Sequence, residues 1–129
     1  MAAERLVSIQ WLAVGGGAAI GAWIRWCLGI ALNASMLPMG TLVANLGGGL
    51  LMGMAMAYFA STSTQDPTRL LVMTGFLGGL TTFSAFSAEA FNLLQKQQYA
   101  WAAGHIASHV VGSLLMTAFG FALVHYMRS

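Results

Sequence analysis

The chain has 129 residues, 58% of them hydrophobic and only 6% charged, with a formal net charge of +2 and a mean hydropathy of +0.76. Soluble domains carry about 25% charged residues, so these figures exclude an ordinary soluble enzyme and describe an all-α integral membrane protein. A chain of this length accommodates about four spans of roughly 20 residues in the lipid bilayer, and with no basic cluster in the sequence there is no nucleic acid partner to expect.

The first span is expected over residues 9–32. Arg5 precedes it, but the apolar run is too long for a signal-peptide core and lacks a clear small-x-small exit site, so the segment reads as a retained helix. Trp11 at one end and Trp23 and Trp26 at the other suit the membrane interfaces. Gly17 and Gly21 form a small-xxx-small pair, which lets helices approach closely. The single cysteine, Cys27, allows no disulfide framework. Arg25 serves either as an interfacial anchor or as a charge in an aqueous vestibule.

Asn33 to Pro38 has turn chemistry, and a second span is expected over residues 39–60. Thr41, Asn45, Gly49 and Gly53 recur every four residues and share one helix face. That face can pack closely on a neighbour or line a pore. The Asn45 amide has two N–H donors, which suit a desolvated anion, and an interhelical hydrogen bond is the other use of such a group.

Ser61 to Pro67 reads as a loop, with Asp66-Pro67 as its punctuation. The third span, expected over residues 70–94, contains Gly75-Phe76-Leu77-Gly78-Gly79-Leu80-Thr81-Thr82-Phe83-Ser84-Ala85-Phe86-Ser87. Each glycine costs about 1 kcal/mol against alanine in a helix interior, and the Thr-Thr-Phe-Ser run adds residues that crowd or compete with the helical backbone. A break is expected between Gly78 and Ser84. In hydrocarbon, backbone groups freed by a break must be buried in protein, line a watery cavity or bind an ion, so the break is a candidate ion site. Phe83 and Phe86 beside it alternate with Thr82, Ser84 and Ser87; a ring edge carries the positive part of the aromatic quadrupole and can meet an anion without trapping it. Glu89 is the only carboxylate within a span.

The fourth span is expected over residues 100–127, with Tyr99, Trp101 and Tyr126 at its ends. His105, His109, Ser113 and Thr117 form a polar stripe at four-residue spacing. Two histidines four apart can ligate a metal, but no His-Glu-x-x-His pattern accompanies them, and a row of donors along a permeation route fits better. Nothing pairs a nucleophile with a base and an orienting group, so no enzyme is expected. With four spans, Arg5, Arg69 and Arg128 fall on one side and Lys96 on the other, joined there by Arg25 if it points that way. So weak a bias leaves orientation open, and two opposed copies could pair about an axis in the membrane plane through glycine-rich faces.

The run from Gly75 to Ser87 resembles the signature of the Fluc (CrcB) fluoride channels. Gly-Thr-Leu-x-x-Asn at Gly40 to Asn45, Trp-x-Arg at Trp23 to Arg25 and Gly-Ser-Leu at Gly112 to Leu114 extend the likeness to all four spans. The resemblance implies an antiparallel, dual-topology homodimer of four-helix subunits in the bacterial inner membrane, passively releasing cytoplasmic fluoride through two pores. It further implies that Phe83, Phe86, Asn45 and Ser113 line the pore and that the carbonyls of Gly78 and Thr81 hold a structural sodium ion, Na+, at the dimer axis. Thr41, Ser84 and His109 complete the expected fluoride path, although His109 stands where a small hydroxyl residue is expected. A small proton-coupled transporter using Glu89, His105 and His109 is the alternative.

Overall fold

A computed structural model describes residues 1–34 and 37–129; Ser35 and Met36, inside the turn expected over Asn33 to Pro38, lie outside the described residues. The described residues are all-helical, and among them are four helices long and apolar enough to cross a membrane. These are α1 (Ala2–Leu32), α2 (Met39–Tyr58), α3 (Pro67–Gln95) and α4 (Tyr99–Arg128). Asp66 starts α3: its Oδ1 accepts from the N–H groups of Thr68 and Arg69 at 2.9 and 3.1 Å, and Pro67 occupies the first turn. An N-cap carboxylate and a proline at N1 both suit a helix start, because the first amides lack partners within the helix.

The pairing of helices follows their glycines. A methyl group on Gly17 or Gly21 of α1 would meet the α3 backbone at Phe76 and its neighbours, and one on Gly75 or Gly79 would meet α1 at Val14 and Ala18. Gly53 of α2 likewise lies against Thr117 and Phe121 of α4, and Gly120 of α4 against Leu50 of α2. These small residues let backbones approach, so α1 packs on the first half of α3, and α2 packs on α4. Between the pairs lies a small apolar core of Ala44, Ala55, Phe59, Leu77 and Leu80. At one end, Gln10 donates to the Gln65 carbonyl at 2.9 Å and Arg128 to the Tyr58 carbonyl at 3.0 Å, so both termini and the α2–α3 loop are together.

The third span is bent, as expected, but the break is narrower than the glycines suggest. Gly78 to Leu80 is still helical; the chain becomes extended only at Thr81 (φ −87°, ψ 154°) and Thr82 (φ −150°, ψ 123°), and the helix resumes over Phe83–Gln95. Gly78 and Gly79 therefore do not unwind the helix. Gly79 instead spares a clash with Ala18 of α1, and close packing outweighs the propensity cost. Before the break, Leu70–Leu77 is wound as a π-helix, a wider winding that the sequence does not signal and that tends to accompany functional sites.

Candidate functional site

The break is held by one side chain from α2. Asn45 Oδ1 accepts from the Thr82 N–H at 2.8 Å, and Asn45 Nδ2 donates to the Thr82 carbonyl at 3.0 Å. The asparagine thus binds an extended peptide as a neighbouring β-strand would, satisfying groups that the helix has lost. Thr82 also caps the resumed helix, its Oγ1 accepting from the Ala85 N–H at 3.1 Å. These diversions have a consequence for the carbonyls upstream. In a continuous α-helix, Thr82 N–H would serve Gly78 and Ala85 N–H would serve Thr81; both amides are bonded elsewhere. The carbonyls of residues 78–81 thereby lose their regular helical partners, and the expected sodium ligands, Gly78 and Thr81, are two of these four. The carbonyl of Gly79, by contrast, accepts from Arg25 Nε at 3.1 Å, which gives that arginine a role beyond anchoring.

Two clefts meet at this break. One, of about 330 Å³, is lined by Asn45, Thr81, Thr82, Phe83, Phe86, His109, Ser113 and Thr117 together with apolar and glycine neighbours, and contains no charged side chain. The other, of about 390 Å³, is lined by Arg25, Asn33, Thr41, Thr82 and Glu89 among others. Thr82 belongs to both. The two phenylalanines differ sharply in setting: Phe86 is 7% exposed and Phe83 78%, with ring centroids 5.4 Å apart in an edge-to-face arrangement. Ser84, beside Phe83, shares a hydrogen bond of 3.2 Å with Thr82 Oγ1.

Beneath Phe86 lies a buried polar cluster. Thr41 Oγ1 donates to Glu89 Oε1 at 2.6 Å, and Glu89 Oε2 lies 3.3 Å from His105 Nε2. His105 and His109 are buried side by side, ring centroids 4.4 Å apart, and Phe86 lies against both, at 5.6 and 4.7 Å. Asn45 Nδ2 is 3.0 Å from His109 Nδ1. Three buried side-chain atoms have no hydrogen-bond partner among the described residues: Glu89 Oε2, His105 Nε2 and His109 Nε2. Glu89, His105 and His109 each offer a potential ligand atom within 4.8 Å of the others, a grouping of metal-ligating type.

The structure thus brings Asn45, Phe83, Phe86, His109 and Ser113 to one cleft and Thr41, Glu89 and Arg25 to the other. Sequence reasoning did not assign Thr82 its part as cap, as partner of Asn45 and as the residue common to both clefts. A threonine three residues ahead of Ala85, after a helix-breaking run, was the available signal.

Comparison with known proteins came to the same family. Residues 12–121 match the family model for CrcB-like protein, Camphor Resistance (CrcB). A protein of Pseudomonas putida (strain W619) named fluoride-specific ion channel FluC is 54% identical over 119 residues, covering 90% of this chain and 94% of the relative. A protein of the same name from Aromatoleum aromaticum is 56% identical over 114 residues, covering 86% and 87%. Another, from Pseudomonas aeruginosa (strain UCBPP-PA14), is 56% identical over 119 residues, covering 90% and 94%.

Proposed function

This chain belongs to the CrcB family, and from that premise we propose that it is a multi-pass membrane channel passively releasing cytoplasmic fluoride, working in the bacterial inner membrane as an antiparallel, dual-topology homodimer. The observation that carries the reading is the uncharged cleft beside the break, walled by Phe83 and Phe86, furnished with His109 and Ser113 and braced by Asn45. Such a lining gives an anion polar contacts without a full positive charge to hold it, which conduction requires. Fluoride enters past Arg25 and Thr41 and then passes along the edges of Phe83 and Phe86, with Ser84 beside Phe83. Arg25 raises the local anion concentration at a vestibule, while Glu89, engaged by Thr41, faces the same space.

The whole chain, residues 1–129, acts as one membrane domain. In the dimer the exposed Phe83 gains a lining role at or near the partner, and two pores result. A structural Na+ at the two-fold axis would be held by the carbonyls of Gly78 and Thr81. With their helical amides diverted, these carbonyl oxygens suit a small hard cation, which prefers oxygen ligands. When bound, the ion supplies only charge and coordination, tying two breaks together.

The experiment is fluoride efflux from proteoliposomes followed with a fluoride electrode. A fluoride gradient alone, with valinomycin and K+ to clamp the voltage, suffices for a channel. Efflux that requires an imposed proton gradient refutes it in favour of the coupled transporter. Crosslinking of opposed cysteine pairs, and density at the axis that disappears when Na+ is replaced, test the assembly.

A further inference from the structure

Asn45 has no N–H left to give an ion. One N–H of its amide goes to the Thr82 carbonyl and the other is 3.0 Å from His109 Nδ1, while Oδ1 takes the Thr82 N–H. The two bonds to Thr82 fix the amide's orientation: turned over, it would set oxygen against oxygen and N–H against N–H. An amide nitrogen donates and does not accept. His109 Nδ1 must therefore be the acceptor, and the proton of the neutral ring is on Nε2. That atom is buried and has no partner among the described residues.

We propose that Asn45 fixes His109 as its Nε2–H tautomer, and that this neutral N–H is the donor exchanged for water when a fluoride ion passes Phe86. The inference rests on the fluoride-channel reading and assigns within it the role that a hydroxyl side chain was expected to fill. Asn45 is then a positioning residue, acting on the ion through the ring. His109 lines the uncharged cleft and its ring lies 4.7 Å from that of Phe86, while Nε2 itself is enclosed, so the ion meets the N–H only as it passes Phe86. Its neutrality matters: an imidazolium would hold fluoride, whereas a neutral N–H beside the Glu89 carboxylate binds it weakly enough to let it go. The same protons remove His109 from any metal site. Its Nδ1 lone pair is taken by Asn45 and its Nε2 has none, so the grouping with Glu89 and His105 has ligand spacing without a third ligand.

The test is nitrogen NMR of the full-length protein, labelled with ¹⁵N-histidine in lipid nanodiscs, with His109 assigned by the signal lost in His109→Gln. The expected spectrum has a pyrrole-type Nε2 and a pyridine-type Nδ1, and fluoride, but not chloride, shifts Nε2. The opposite tautomer, or an Nε2 indifferent to fluoride, overturns the proposal. Asn45→Ala, where it folds, releases the ring to a mixture of tautomers, a signature that loss of packing alone would not produce. In liposomes His109→Gln, which retains an amide N–H near the same place, slows efflux about tenfold, and His109→Leu about a hundredfold; a leucine variant that conducts like the parent overturns the ion's use of the N–H. Micromolar Zn²⁺ binding lost in His109→Gln would also overturn the assignment, because it requires a free Nε2 lone pair. Parental protein that passes no fluoride refutes the channel reading itself, whereas the tautomer is decided by the nitrogen shifts alone.

Discussion

Replacing Phe83 or Phe86 with isoleucine separates a pore wall from a packing contact, because the two rings are so differently placed. Phe83 is 78% exposed in the single chain, and an exposed substitution shifts folding by only about 0.5 kcal/mol; losing its edge-to-face contact with Phe86 adds about 0.5–1.5 kcal/mol. Phe86 is 7% exposed, and exchange for a smaller apolar residue costs about 1.5 kcal/mol or somewhat more once its contacts with His105 and His109 are counted. Both costs lie below the stability of about 5–15 kcal/mol typical of folded proteins. Folding should survive in both variants. Transport should not: a desolvated ion held by a ring quadrupole gains about 2 kcal/mol or more, by analogy with cation binding at the ring face, and 2 kcal/mol lost at the barrier slows passage about thirtyfold. Fluoride efflux from liposomes, with gel filtration in parallel, reads both quantities. If Phe83→Ile and Phe86→Ile remain folded and conduct at the parental rate, the aromatic edges carry no part of the barrier. The path would then follow His109 and Ser113 alone.

Other outcomes follow from single contacts. Gly79→Val should cost about 1–3 kcal/mol or more and broaden or abolish the folded gel-filtration peak, because its first side-chain atom meets the Ala18 backbone, whereas Gly15→Ala and Gly104→Ala, with open space around them, should leave the thermal midpoint within a few degrees. Asn45→Leu leaves both the Thr82 N–H and its carbonyl without their α2 partner, and at about 1–3 kcal/mol for each unpaired group the loss should be visible as a lower thermal midpoint. Ser61→Lys with Thr64→Lys, both exposed in the α2–α3 loop, should bias insertion so that this loop is cytoplasmic in most copies; loop-cysteine labelling in intact cells that starts out one-sided in the parent would instead contradict dual topology.

The four helices were legible because hydropathy and span length are coarse properties that tertiary packing does not overturn. The break was legible too, between Gly78 and Ser84 as expected, but through the Thr-Thr-Phe-Ser run and not through the glycines. Glycine propensity pointed to Gly78 and Gly79, yet both remain helical, and the extended residues are Thr81 and Thr82. Propensity ranks residues in isolation, while here α1 rewards glycine for its size at Gly79 and α2 rewards the extended peptide through Asn45. The π-helical turns of Leu70–Leu77 left no trace in an apolar run. His105 and Glu89 were legible as types, but that they come within 3.3 Å depends on how α4 packs beside the second half of α3, which one sequence does not specify.

The polar atoms that packing leaves unpaired give the cluster its functional sense. Buried polar groups are nearly always hydrogen-bonded, and this small core bonds those it needs for shape: Thr41 to Glu89, and Asn45 to Thr82. The side-chain exceptions among the described residues all belong to one cluster under Phe86: Glu89 Oε2 and His105 Nε2, which face each other at 3.3 Å, and His109 Nε2. An imperfectly packed interior would scatter such defects along the bundle. Their concentration at the break is what a conducting path demands, because a site whose donors are all committed to protein acceptors has nothing to offer in place of the ion's water. Asn45 satisfies the backbone of the broken helix and in doing so leaves His109 Nε2–H unpaired, so the contact that stabilises the break also prepares a donor for the ion.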